Sequence, residues 1–194
     1  ASQVTRSSAS GNVSGRYDIG GLMGRVSNVD VSRSHASGTV TLLADNTGGT
    51  TTPYGAGGLI GSIDSGSVDL SYATGTVQSS DNVATRLGGL VAYSVGAPIT
   101  RSFATGDVIH TGRMAGGLVG VTASSISDSY ATGDVSGSNE IGGLVGRMLD
   151  GSSVTRSYAT GAVSASVNGG GLVGTMDAGT ITLTNSVWDT QTPD

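Results

Sequence analysis

Apolar residues in this chain come in pieces of two to six, cut by Gly, Ser, Asn and Asp. None reaches the ~10–12 residues at a 3.6 period that a helix needs. The pieces hold Val, Ile, Thr, Ser and Tyr, which suit strands. They also recur. One block, Gly-Gly-Leu-(Val/Ile/Met)-(Gly/Ala), begins at Gly20, Gly57, Gly88, Gly116, Gly142 and Gly170. A second, Ser-(aromatic or His)-Ala-(Ser/Thr)-Gly-x-Val, begins at Ser34, Ser71, Ser102, Ser129 and Ser157. A variant at Ser7 carries Ser8 in the aromatic slot, and Ser186-Val187-Trp188 is a degenerate seventh copy.

From first block to second the offset is 14, 14, 14, 13 and 15 residues, then 16 at Ser186; on to the next first block it is 13, 23, 17, 14, 13 and 13. One unit is therefore close to 27 residues. The excess marks a surface insertion over 41–56 and a smaller one around Ser79–Thr85. Three short strands and three turns fill such a unit. Stacking units at ~4.8 Å satisfies the backbone and buries a face that no single unit covers alone. The expectation is an all-β, single-stranded, parallel, right-handed β-solenoid of about seven coils, on the order of 30–35 Å long.

Equivalent positions then form columns. Inward columns are the residue three before each Ser (Val31, Val68, Ile99, Ile126, Val154), the Ala of the second block, its Val, and the Leu of the first block. The Gly pair before that Leu gives a tight turn or space for close backbone approach. Replacing Ala131 with Leu should cost about 1–3 kcal/mol by overpacking. Outward columns flank the inward Ala. One is Ser8, His35, Tyr72, Phe103, Tyr130 and Tyr158; the other is Ser10, Ser37, Thr74, Thr105, Thr132 and Thr160. Before each Ser lie Arg6, Arg33, Leu70, Arg101, Asp128, Arg156 and Asn185, where Arg101, Asp128 and Arg156 alternate in sign as a stacked ladder prefers.

Composition narrows the partners. Gly contributes 34 of 194 residues, without a triplet period, so collagen is excluded. No Cys is present, which removes disulfides and thiolate chemistry. All nine basic residues are Arg, and fourteen acids leave a net charge of −5. That field disfavours nucleic acid and anionic membranes. No apolar run approaches the ~20 residues that span a bilayer, so no membrane insertion is expected.

These alternating blocks resemble the GLUG-motif repeat of large bacterial surface and secreted proteins, including haemagglutinin-like adhesins and the stalks of some immunoglobulin-A peptidases. The ending Ser186-Val187-Trp188-Asp189-Thr190-Gln191-Thr192 resembles the segment that closes such arrays. Departures are the insertion, Ala92 in place of Gly, and Ser8 and His35 in the aromatic slot. The resemblance implies a bacterial surface or secreted location and no catalytic motif.

Candidate chemistry is sparse. His35 sits in a ring slot and His110 in a polar turn after Ile109, so neither is placed as a base beside a nucleophile. Gly169-Gly170-Gly171-Leu172-Val173-Gly174 imitates a dinucleotide fingerprint, but no helix follows. Asp107 and Asp134 are a weak pair for Ca²⁺, with two solvated turn carboxylates the preferred reading; no other cofactor is implied. A sugar-cleaving β-helix would cluster carboxylates in one groove, and here the Asp residues are scattered. An ice-ordering face would need paired Thr columns, and Tyr stands where the second would be. The function expected is a non-catalytic shaft or binding segment of a bacterial cell-surface adhesin. The alternative is a carbohydrate-binding face of Tyr72, Phe103, Tyr130 and Tyr158 with Thr74, Thr105, Thr132 and Thr160. Expected partners are a glycan or protein of a host or neighbouring cell, and the rest of the parent polypeptide. The chain starts in mid-unit, which reads as a fragment of a longer protein, one continuous solenoid over 1–194. Residues 185–194, with Trp188, read as a C-terminal cap.

Overall fold

The computed structural model describes residues 1–44, 54–79 and 85–189. Every strand pairing among them is parallel, and each strand stacks on its counterpart one repeat away: Tyr72 on Phe103, Val77 on Val108, Gly88 on Gly116 and Ile99 on Ile126. The chain is an all-β parallel solenoid, as the periodicity requires. Its seven-stranded sheet places six intervals of about 4.8 Å end to end, a stack of roughly 29 Å.

Each coil carries four faces where three strands were expected. A two-residue strand such as Tyr130–Ala131 forms the seven-stranded sheet. Strands such as Val135–Gly137 and Asn139–Gly142 form two six-stranded sheets. The eleven-stranded sheet takes the run after each Gly-Gly-Leu; Met23–Ser32 and Ile60–Asp69 are continuous there, while later coils split it in two. The fourth face was hidden because the Gly pair reads as a turn, whereas its first Gly ends a strand of its own, as Gly57 and Gly142 do.

The inward columns are inward. Val31, Val68, Ile99, Ile126 and Val154 pack with Ala36, Ala73, Ala104, Ala131, Ala159 and with Leu59, Leu90, Leu118 and Leu144 in one core. Val40, Val77, Val108 and Val135 join Leu42, Ala56, Leu87, Ala115 and Ile141 in a second core between the six-stranded sheets. In the first and last coils Val4, Leu22 and Leu172 are only partly covered, since nothing among the described residues lies beyond them. The Gly pair serves space. A Cβ on Gly58 would run into the Gly89 carbonyl and lie 2.8 Å from the Ala73 Cβ, and neither Gly57 nor Gly58 has a positive φ. Of the stretch 41–56 read as an insertion, Thr41–Leu42 and Gly55–Ala56 belong to strands; 45–53, the smaller insertion at 80–84 and residues 190–194 of the expected cap lie outside the described residues.

Candidate functional site

The residue before each repeat Ser turns the corner into the seven-stranded sheet. All seven of these residues, Arg6, Arg33, Leu70, Arg101, Asp128, Arg156 and Asn185, are left-handed, with φ between 46° and 53°. Only Asp128 and Asn185 are of types that favour that region. The bend interrupts the regular ladder, and the serine repairs it. Ser34 N–H donates to Ser71 Oγ, Ser71 N–H to Ser102 Oγ and Ser102 N–H to Ser129 Oγ, each at 3.1 Å. Each hydroxyl in turn donates to the carbonyl two residues back, at 2.8 Å for Ser71, Ser102 and Ser129. The ladder runs from Ser7 to Ser186. The sequence pattern marked these serines as repeat residues; it gave no sign of this chain of hydrogen bonds.

Two residues on, the outward rings stack. His35, Tyr72, Phe103, Tyr130 and Tyr158 lie with centroids 4.7–4.9 Å apart and planes within 5°. His35 is one ring among the others. Burial, then the neighbouring Tyr158, pushes the Tyr130 phenol above its ordinary value. Each interior ring has both faces against its neighbours, so the column presents edges outward. Thr74, Thr105 and Thr132 beside it are exposed, and Thr160 is half-buried. A sugar ring stacking on aromatic faces has access only at the two ends of the column, beside Ser8 and Val187.

The charged residues are brought together differently from the sequence reading. Arg156 grips Asp128 through two hydrogen bonds of 2.7 Å, but Arg101 turns from that column to Asp69 of the preceding coil, at 2.9 and 2.6 Å. The Arg156 guanidinium holds the Asp128 carboxyl below the usual range. For Asp69 burial acts upward, yet Arg101 and the Thr100 hydroxyl outweigh it and the net direction is down. Asp107 and Asp134 stack as neighbours, and each carboxylate is occupied by backbone: Asp107 accepts from Asp134 N–H at 3.0 Å and Asp134 from Ala162 N–H at 2.8 Å. Asn12 does the same for Thr39 N–H at 2.9 Å. Among the described residues no three His, Cys, Asp or Glu gather as a metal shell. His110 is buried in the strand Val108–His110, not in a polar turn; its Nε2 lies 3.1 Å from Thr85 Oγ1 and 3.0 Å from the Arg113 carbonyl.

A further set, not foreseen, lies across each Gly-Gly-Leu arch. The residue two before the first Gly faces the residue seven further on. Asp18 meets Arg25 at 3.8 Å, the Arg86 guanidinium lies 3.9 Å from the Tyr93 ring centroid, and Glu140 meets Arg147 at 3.5 Å. Met114 and Val121, in the same two slots, are both buried. Glu140 also pairs with Arg113, and Arg147 with Asp177 at 2.8 Å. Burial raises Asp18 above the usual carboxylate value against the pull of Arg25, and lowers Arg86. The signal was available as complementary residues at a spacing of seven around each arch.

Each inner coil thus runs through one arch, one corner and one ring, and two of these coils match a known repeat. Residues 111–136 and 137–164 each match the GLUG motif. A GLUG unit is one turn of this rod, cut in the six-stranded sheet that holds Val135 and Val163. Halomucin of Haloquadratum walsbyi is 42% identical over 162 residues, covering 77% of this chain and 2% of halomucin. The chain therefore spans a small fraction of that relative's length. No solved structure matches the chain.

Proposed function

We propose that this GLUG solenoid is a non-catalytic shaft segment of a surface-exposed or secreted protein, of the kind that bacterial adhesins use to carry binding domains away from the cell. The observation that carries the reading is the unbroken stack: two apolar cores, a serine ladder and a ring ladder each run coil on coil along the rod. A rod held by so many parallel ladders resists bending and pulling as one body. The side chains best placed for chemistry are spent on the stack itself, the serines on backbone and Asp107 and Asp134 on the next coil. Similarity to a short stretch of halomucin supports a setting in which such coils form part of a much longer polypeptide. The partners of the segment are then the flanking parts of its parent, which meet the glycan or protein of another cell.

Pulling the purified rod end to end in single-molecule force spectroscopy tests this, alongside glycan-array binding. A shaft unfolds at one high, reproducible force and leaves the array blank. Glycan binding that is lost when Tyr72, Phe103, Tyr130 and Tyr158 are changed to Ser would replace the shaft with a lectin-like face. Turnover of a polysaccharide would replace both.

A further inference from the structure

The ring ladder contains one step at which two phenols meet. Along the column His35 stacks on Tyr72, Tyr72 on Phe103, Phe103 on Tyr130 and Tyr130 on Tyr158. Phe103 keeps Tyr72 apart from Tyr130, so within the ladder only Tyr130 and Tyr158 lie ring to ring as tyrosines. Their Cα atoms are register partners, their ring centroids are 4.9 Å apart and their planes differ by 5°. One ring is therefore close to a translated copy of the other, and each ortho carbon faces its own counterpart. Tyr17 and Tyr54 come as near, at 4.8 Å, but at 87° and edge to face, so their ortho carbons are not matched in pairs. Tyr93 lies under the Arg86 guanidinium.

Matched ortho carbons are what phenol coupling needs. A phenol that loses one electron and one proton becomes a neutral radical whose unpaired spin sits partly on the carbons ortho to oxygen. Two such radicals join through those carbons, and the two ring hydrogens there move to the oxygens as the rings regain aromaticity. Each tyrosine gives up one hydrogen in all; one hydrogen peroxide takes both and leaves as two waters. Groups held face to face in one molecule react at an effective concentration far above that of free partners. The remaining gap closes by a tilt of the rings. Tyr158 has room for it: the side chain is 39% exposed, and its outer neighbour is Val187 and not another ring.

We propose that Tyr130 and Tyr158 form an oxidative modification site, joined ring to ring as dityrosine by hydrogen peroxide acting through a peroxidase-class one-electron oxidant. The outward ring edges of the column leave both phenols open to such an oxidant. The link staples two successive coils through tyrosines 28 residues apart in sequence. The chain has no Cys, so this bond supplies the closure that a disulfide gives elsewhere, by narrowing the unfolded ensemble.

Treating the full chain with hydrogen peroxide and a haem peroxidase tests this. Cleavage after Arg then yields peptides 114–147 and 157–194, whose single tyrosines are Tyr130 and Tyr158. Expected are dityrosine emission and a cross-linked pair of these two peptides, at a yield independent of protein concentration. Tyr130→Phe and Tyr158→Phe keep a ring in the stack and should each abolish that pair, whereas Tyr72→Phe should leave its yield unchanged. Phe103→Tyr creates a second phenol–phenol step, and peptide 102–113 should then also join 114–147. No dityrosine, dityrosine confined to other peptides, a yield that rises with protein concentration, or Phe103→Tyr without a second link would each overturn the proposal.

Discussion

At the corner before the repeat serines, all seven coils place a left-handed residue, six steps are bridged by a serine hydroxyl, and the five inner coils stack ring on ring. Across the Gly-Gly-Leu arch, an ion pair, a cation over a ring and two apolar side chains fill the same two slots in different coils. The difference follows from who the partner is. At the corner each residue meets its own copy 4.8 Å away, so one residue type must be self-complementary, as a hydroxyl and a flat ring are. Across the arch each residue meets a different position, in its own coil or in the next, as Arg25 meets Asp18 and Asp64. Complementarity to that unlike partner is required and likeness to its own copy is not, so the chemistry is free to vary.

This comparison predicts that corner substitutions propagate along the column of like residues, while an arch substitution is repaired by changing the one unlike residue it meets. Ser102→Ala has the largest expected effect. It strips the acceptor from the buried Ser71 N–H and the donor from the Thr100 carbonyl, so about 2 kcal/mol should be lost. Hydrogen exchange should show Ser71, in the coil before, losing protection along with its neighbour. Loss confined to residue 102 would break the comparison.

Gly55→Ala comes next. Gly55 fills the slot that holds Asp18 and Arg86 in the adjacent coils, and a Cβ there would lie 2.5 Å from that of Ala92. Ala92 is itself the departure from Gly in the first block, and it fits because Gly55 has no side chain. The substitution should cost roughly 1–3 kcal/mol by overpacking. Adding Ala92→Gly should recover most of it, as a double-mutant cycle of melting curves would measure. Additive losses would mean the strain lies elsewhere.

Much of this was legible in the sequence because most of the fold is repetition. Val, Ala and Leu columns recur at equal offsets, and a column of identical small or branched residues has one stable place, inside a stack. The ring column was legible for the same reason. What escaped notice does not repeat as identity. Arg101 and Leu70 share a φ near 50° but no side-chain property, and neither type announces a bend. The partners of Arg101 and Glu140 depend on which neighbouring coil a long side chain reaches, and that is decided by the splay of the corner. Asp107 and Asp134 read as two solvated turn carboxylates, with Ca²⁺ the weaker alternative, and their types alone could not place the Asp134 N–H that Asp107 accepts.

The acids of the two regions should answer pH with opposite sign. Asp69, paired at the corner, has a lowered folded-state value, so its stabilisation is present above the unfolded carboxylate value of ~3.9 and is lost as pH falls through the folded one. Asp18, buried at the arch, is raised. Its charged form is the costly one, and that cost appears as pH rises above ~4. Between pH 3 and 7 the melting temperature of Asp69→Asn should therefore fall relative to the parent protein, while that of Asp18→Asn rises relative to it. Parallel trends would show that burial at the arch is offset by Arg25 and Arg86.

The smallest effect should be a gain. Leu70 is the one apolar member of the left-handed column, partly exposed, at φ 48°, and Asn185 holds the same slot at φ 50°. Its hydrogen bond, from the Leu70 N–H to the Thr100 carbonyl at 3.2 Å, belongs to the backbone and survives any side chain but proline. Asn is several-fold enriched over ordinary residues in this region, which converts to roughly 0.5–1 kcal/mol. Leu70→Asn should stabilise the rod by about that amount in chemical denaturation, while Leu70→Ala, which keeps a Cβ and gains no local hydrogen bond, should not. Equal stability of the two variants would place the energy of the corner in the serine ladder alone, with the left-handed bend its consequence and not a strain it holds in check.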